Sequence, residues 1–289
     1  MTGPAHPPAP ALAVALSTVD DWSAHHAAAA LVGPDGIVAA HGDADRPFRW
    51  ASVTKLVTAM AVLTAVAEGT LDLDEAAGPP GSTVRHLLAH ASGLPFEGAD
   101  PVALPGRTRV YSNPGFDVLA DLLATRDEAT VAEALDIRVL APLGMTGTTL
   151  VERASQGLHG PLSDLARLAR ELLRPTLVDP RLLATATSVV FPGLAGVLPG
   201  VGRFDPLDWG LGFELRDGKS PHWTGSRNSP ATFGHFGGAG TFLWVDPALD
   251  RVLVCLTDRE FGPWALDAWP ALSDAVIDAD ARDRGVSRS

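Results

Sequence analysis

A single cysteine, Cys255, stands in a chain of 289 residues. That scarcity excludes an intramolecular disulfide and any zinc or iron–sulfur centre built on several thiolates. Cys255 sits in the apolar run Arg251–Leu256 and reads as an inert core thiol on a strand. Positive charge is also scarce. Lys and Arg total 22 against 34 Asp and Glu, a net charge of -12. That balance argues against a nucleic-acid partner, which needs a basic face. Long apolar runs are missing: the longest, Val57–Ala67, is broken by Thr58 and Thr64 and falls short of the ~18 residues of a membrane span. No Lys or Arg precedes Arg46, so the basic region of a secretion signal is not seen and a cytoplasmic protein with no membrane partner is expected. The sharpest scarcities are one tyrosine, Tyr111, two lysines, Lys55 and Lys219, and two asparagines, Asn113 and Asn228. A chain that uses a side chain so rarely invites the question of where it is placed.

Hydrophobic residues at 46% and charged residues at 19% indicate a globular chain. Four prolines in residues 1–10 suggest a flexible arm. Leu12, Leu16 and Val19 recur at helical spacing up to Trp22. Ala27–Val32, the turn Gly33-Pro34-Asp35-Gly36, and Ile37–Ala40 predict a β-hairpin. A helix is predicted from Ser52 to Glu68 with Gly69 as its stop. Ser82 and Thr83 can cap a further helix. Asn113 as N-cap with Pro114 behind it predicts another, and more cover Thr130–Val139 and Ser163–Leu173. Trp209–Leu215, Thr241–Val245 and Arg251–Thr257 read as strands, and Trp264–Ala279 as a final helix. Strands at both ends with helices between predict an α+β fold: a mixed, mostly antiparallel sheet flanked by the N- and C-terminal helices, with an inserted all-helical lobe. The expected division is residues 11–77 and 181–289 as an α/β lobe and 78–180 as the helical lobe, with an active site in the cleft between them.

Three segments could carry chemistry. In Ser52-Val53-Thr54-Lys55 the hydroxyl and the amine share a helix face at i and i+3. A desolvated lysine can serve as the base that makes a serine nucleophilic, and a helix N-terminus favours an oxyanion. The alternative is a capping serine beside a solvated lysine. In Tyr111-Ser112-Asn113 a phenol and an amide can face one cleft, or be a buried Tyr beside an N-cap Asn. In Phe233–Gly240 the glycines let a substrate approach the backbone, with His235 offering a polar or cationic group that titrates near ~6.5 if unperturbed. The alternative there is a glycine-rich turn with an incidental His. His86 and His90 lack a third ligand and read as structural, as do His25 and His26; Lys219 reads as a turn residue.

In this order the three segments resemble the serine β-lactamase and penicillin-binding-protein superfamily, whose first motif is S-x-x-K. The likeness is to its class C-like branch, with class C β-lactamases, D,D-peptidases, D-aminopeptidases and family VIII esterases, and it runs from about Ala27 to the C-terminus. Leu87–Pro95, Ala141–Met145 and Leu243–Pro247 are similar to phrases of that family. The resemblance implies Ser52 as the acyl-accepting nucleophile, Lys55 as its base and Tyr111 as proton relay or partner base. It implies Asn113, His235, Phe236, Gly237 and Gly238 as substrate-binding residues, with the N–H groups of Ser52 and Gly238 as oxyanion hole. It implies a small ester, amide or β-lactam as substrate, with no metal and no cofactor. Phe236 departs from the Thr or Ser of many relatives, whose hydroxyl helps hold a substrate carboxylate. A general-base Glu in an E-x-x-L-N setting is absent. A non-hydrolytic ligand- or penicillin-binding protein on the same scaffold is the alternative function.

Overall fold

The computed structural model describes residues 10–285. The arm expected at the N-terminus falls outside the described residues up to residue 9, and Pro10 opens the helix Pro10–Ser17, followed by a 3-10 turn Thr18–Trp22. The main sheet has six strands in the order Gly36–His41, Ala27–Gly33, Arg251–Thr257, Thr241–Asp246, Phe233–Gly237, Glu214–Leu215, with every neighbouring pair antiparallel. Both ends of the chain meet at its centre, where Ala27 faces Thr257 and Val32 faces Val252.

Successive side chains of a strand point to opposite faces, so a strand covered on both sides must be apolar throughout. Arg251–Thr257 follows this rule. Leu253 and Cys255 pack with Leu12, Leu16, Trp269 and Val276 of the terminal helices, while Val252, Val254 and Leu256 pack on the other face with the helices Thr54–Ala67 and Leu162–Leu173. Cys255 is fully buried and its thiol is pushed up by desolvation, as an inert core sulfur should be. The last helix, Pro263–Asp283, overruns its expected bounds at both ends. The result is the predicted α+β arrangement of an antiparallel sheet between helical layers.

Residues 78–180 carry the helices Val84–Leu88, Asn113–Arg126, Val131–Leu135 and Leu162–Leu173. The helix expected over Thr130–Val139 widens at Asp136, where a π turn runs to Leu140. Short strands lie among these helices. Leu158–Gly160 pairs with Phe48–Arg49 and Thr149–Leu150, and Arg109–Val110 runs parallel to Gly196–Leu198. Trp209–Leu215 does not form the expected strand. Gly210 and Gly212, the latter at φ +91, fold the chain back so that the Gly210 N–H meets the Phe213 carbonyl at 2.8 Å. Only Glu214–Leu215 joins the sheet, and Trp209 touches it through an isolated bridge to Glu214.

Arg109 ties this region together. Its buried guanidinium donates to the carbonyls of Leu207 (2.7 Å), Val190 (2.8 Å), Phe191 (3.0 Å) and Ala89. Desolvation lowers its pKa to about 10, still charged at neutral pH. Three loop segments thereby meet two residues before Tyr111. Replacing Arg109 by Met leaves those carbonyls without a donor, and a loss of about 3 kcal/mol is expected in urea unfolding; a change within experimental error would show that the loops hold without it.

Candidate active site

Ser52 stands in a 3-10 turn, Ala51–Val53, that leads into the helix Thr54–Ala67. The helix therefore begins two residues later than expected, and Ser52 sits in the tight turn at its head. Ala51, just before it, is held at φ +46. For a residue with a Cβ this left-handed conformation costs on the order of 1–3 kcal/mol and needs support from its surroundings. That support comes from the sheet edge. Thr241 Oγ1 donates to the Trp50 carbonyl at 2.8 Å, and Trp50 Nε1 donates to Gly160 O at 2.9 Å. A Cβ at Gly237 would lie 2.4 Å from the Trp50 carbonyl, so only glycine lets the strand come this close. Gly237 thus lies beneath the Ser52 turn.

Lys55 is fully buried. Its Nζ lies 2.6 Å from Asn113 Oδ1, 2.8 Å from Ser155 O and 3.4 Å from Ser52 Oγ. All three contacts are neutral. Burial lowers the amine to about 7, against smaller upward pulls from Asp117 and Glu97. Near pH 7 about half the molecules therefore hold a free amine beside the Ser52 hydroxyl. A neutral amine has two N–H groups and one lone pair. With Asn113 and Ser155 taking the N–H groups, the lone pair is left to face Ser52.

Tyr111 packs over this amine, with Lys55 Nζ 4.8 Å from its ring centre. Burial raises the phenol above its ordinary value, opposed by its hydrogen bond with Ser52, so it is a neutral donor at physiological pH. Of the two groups, Lys55 is the one that can accept a proton near pH 7. Asn113 departs from its expected place as N-cap. Ser112 takes that role, accepting from Gly115 N at 3.1 Å, and Asn113 becomes the first helical residue. This frees its side chain to reach Lys55 and, through Nδ2, Glu97 Oε1 at 2.6 Å.

Of the two readings left open for His235, polar or cationic, burial selects the polar one. Desolvation first, then the nearby Lys55, lowers it to about 3, so it is neutral from pH 5 to 8 and offers no cation. Nδ1 faces the Phe236 carbonyl at 2.7 Å and must carry the proton, which leaves Nε2 as an acceptor 3.5 Å from the Tyr111 hydroxyl. Phe236 packs its ring among Phe261, Trp223 and Trp269. The backbone N–H of Gly238 meets no acceptor among the described residues.

Ser52, Tyr111, Asn113, His235, Phe236 and Gly238 line one cavity of about 220 Å³, with Phe96, Trp209 and Phe261 adding aromatic walls. At about 30 Å³ per water it holds roughly seven waters, or a small acyl group. Arg49 is the one cation among the described lining residues, and it is 43% exposed and paired with Glu260 at 3.1 Å. Glu214 also reaches the wall. It contacts Lys219 at 2.8 Å, His222 at 3.0 Å and Trp223 Nε1 at 2.9 Å. Burial alone would raise this carboxyl, but His222 and Lys219 draw it down to about 2. Lys219 closes the expected turn, its N–H on the Arg216 carbonyl at 3.1 Å, and its buried amine is in addition an ion-pair partner. Its rarity was the available signal. Glu97, Asp117 and Ser155, which surround Lys55, carried no motif. His90, read as structural, accepts from Ser112 N at 3.0 Å and stacks on Tyr111 at 4.5 Å.

A family model described as Beta-lactamase matches residues 18–276. The chain is similar, at 52% identity and TM-score 0.89, to the crystal structure of a beta-lactamase from Mycobacterium bovis, covering 91% of this chain and 98% of that one. It is 30% identical over 149 residues to the D-alanyl-D-alanine-carboxypeptidase/endopeptidase AmpH of Escherichia coli; this match spans only 39% of either protein. Unliganded simvastatin synthase (LovD) from Aspergillus terreus shares the fold at TM-score 0.77 and 18% identity, covering 95% of this chain and 99% of that one.

If the Lys55 amine must be free to activate Ser52, acylation of Ser52 by a neutral fluorophosphonate should rise about tenfold per pH unit below about 7 and level off above it. An ordinary lysine, protonated to beyond pH 10, would instead give a rate still climbing at pH 9.

Proposed function

We propose, for a chain that belongs to the beta-lactamase family, that it is a serine hydrolase forming an acyl-enzyme at Ser52 and acting on small neutral esters and amides. The observation that carries this reading is the buried Lys55 amine, held by neutral acceptors, lowered to about 7, and 3.4 Å from Ser52 Oγ. Ser52 Oγ attacks the substrate carbonyl while its proton passes to Lys55 Nζ. The oxyanion lies against the N–H groups of Ser52 and Gly238. As the bond to the leaving group breaks, that group takes a proton from Lys55 by way of the Tyr111 hydroxyl. A water then attacks the Ser52 ester with its proton going to Lys55, the acid departs, and Ser52 Oγ regains a proton. Asn113 keeps one Nδ2 hydrogen for a substrate carbonyl, the other being held by Glu97.

The preference for neutral substrates rests on the cavity wall. A carboxylate bound there would meet the neutral His235, the Phe236 ring and the already paired Glu214, while the lining cation Arg49 is exposed and held by Glu260. Leaving a charge unpaired in such a site is unfavourable. The 52% likeness to a protein titled a beta-lactamase favours β-lactam hydrolysis as the second reading. A small partner of this kind requires neither metal nor cofactor, and the ligand-binding alternative differs only in lacking turnover.

Turnover of a short-chain p-nitrophenyl ester and a chromogenic cephalosporin should be compared, with intact-mass detection of the adduct. The ester is expected to show kcat/KM at least ~10-fold above the cephalosporin, and Ser52→Ala should lower it by ~10³-fold or more. Faster cephalosporin turnover would establish the second reading. A stable adduct without turnover would support a binding protein, and turnover undiminished in Ser52→Ala would remove Ser52 from the chemistry. Tyr111→Phe should slow turnover by ~10²-fold through loss of the proton path; an unchanged rate would exclude Tyr111 from it.

A further inference from the structure

Glu97 lies on the exposed loop between the helices Val84–Leu88 and Asn113–Arg126, outside every motif that marks the site. Its Oε1 nonetheless accepts from Asn113 Nδ2 at 2.6 Å. A side-chain amide has an accepting end and a donating end, whereas a carboxylate can only accept. With Glu97 on one side, the donating end of Asn113 is obliged to face it, and the carbonyl is obliged to face Lys55, where Oδ1 lies 2.6 Å from Nζ. Reversed, the amide would aim an N–H at the amine and compete for its lone pair.

We infer that Glu97 is a positioning residue which, by fixing the direction of the Asn113 amide, aims the Lys55 lone pair at Ser52. The inference rests on the reading of Lys55 as the base. With Asn113 Oδ1 holding one N–H and Ser155 O holding the other at 2.8 Å, the remaining direction leads to Ser52 Oγ. The residue that supplies the second acceptor is anchored by a carboxylate too, because Asp117 Oδ1 receives the Ser155 N–H at 3.2 Å. Each carboxylate thus stands one group away from the amine. Contact with either would hold Lys55 as an ammonium, and one intervening group transmits direction while leaving the pull weak.

The charged and titratable groups facing Lys55 are Asp117 on its helix, Glu97 on its loop, the Tyr111 phenol, and the imidazoles of His90 and His235, both lowered by burial. Asp117 and Glu97 are the two that pull the amine upward. Removing Glu97 must therefore lower the pH at which Lys55 releases its proton. A residue that only held the loop would not move that titration.

The test uses the scarcity of lysine. Protein labelled with 13C-lysine gives Cε signals from Lys55 and Lys219 alone, assigned by their loss in Lys55→Ala. Wild-type Lys55 is expected to titrate at about 7. Glu97→Gln and Glu97→Ala should both titrate lower, by about half a unit or more. Gln retains an acceptor for Asn113 Nδ2 and Ala does not. Turnover of the p-nitrophenyl ester at pH 9 should accordingly fall on the order of tenfold further in Ala than in Gln. An unmoved titration in both variants, or equal rates for Ala, Gln and wild type at pH 9, would overturn the inference. A wild-type Lys55 that keeps its proton to pH 10 would overturn the base assignment itself, and the inference with it. Because Glu97 is exposed, melting temperatures close to wild type are expected and keep both measurements interpretable.

Discussion

The site depends on a buried amine that touches no carboxylate. Lys55 has a side-chain amide, a backbone carbonyl and a hydroxyl around its nitrogen, and burial accordingly prevails over distant charge. The second lysine of the chain shows the opposite arrangement. Lys219 is buried too, but its nitrogen lies 2.8 Å from the Glu214 carboxylate and contacts the Leu215 and Asp208 carbonyls. One residue type is thus a buried amine lowered to about 7 in one place and half of an ion pair in another. The difference lies in whether the first neighbour is charged.

That arrangement has a thermodynamic consequence. The Lys55 amine falls from 10.5 to about 7 on folding. Between those values the unfolded chain binds more protons than the folded one, so this group makes the fold more stable as pH rises from about 7 to about 10.5. Below about 7 the full penalty, on the order of a few kcal/mol, is present. The strained Ala51 adds to it, at φ +46 immediately before Ser52. Both are sustained by rigid neighbours: a helix buried from Thr54 to Ala65, a strand brought within contact by Gly237, and the Thr241 hydroxyl on the Trp50 carbonyl. Unfavourable local states at a reactive centre require this kind of packed surround.

What could be read from the chain and what could not separate along a physical line. Ser52 and Lys55 are neighbours through helix geometry, and the sheet strands announce themselves by unbroken apolar runs, so both were legible. Asn113 was placed one position off because Ser112 and Asn113 are both good caps, and only the surrounding fold decides between them. The two- and three-residue strands carry no period to detect. Ser155 reaches Lys55, and Glu97 reaches Asn113 behind it, from loops distant in the chain from Lys55, and local pattern holds no record of those contacts. His235 was legible as a polar or cationic group, and burial, which residue type does not record, decides for the neutral form.

Charge is also what links the fold to the choice of substrate. On the sheet edge that carries His235 and Phe236, Tyr111 and Trp209 close over the imidazole, each with its ring centre 5.8 Å away, and burial there leaves it neutral. A neutral imidazole accepting from Tyr111 favours a phenol that keeps its proton, and a protonated phenol in turn leaves Lys55 as the group able to receive one from Ser52. Making His235 cationic, so as to attract a carboxylate, would therefore place a second positive charge near Lys55 and lower the amine further. Anion binding at this position and base strength at Lys55 are coupled through that one imidazole. Family membership supplies the scaffold, and the burial of His235 leaves this position of the cavity wall uncharged.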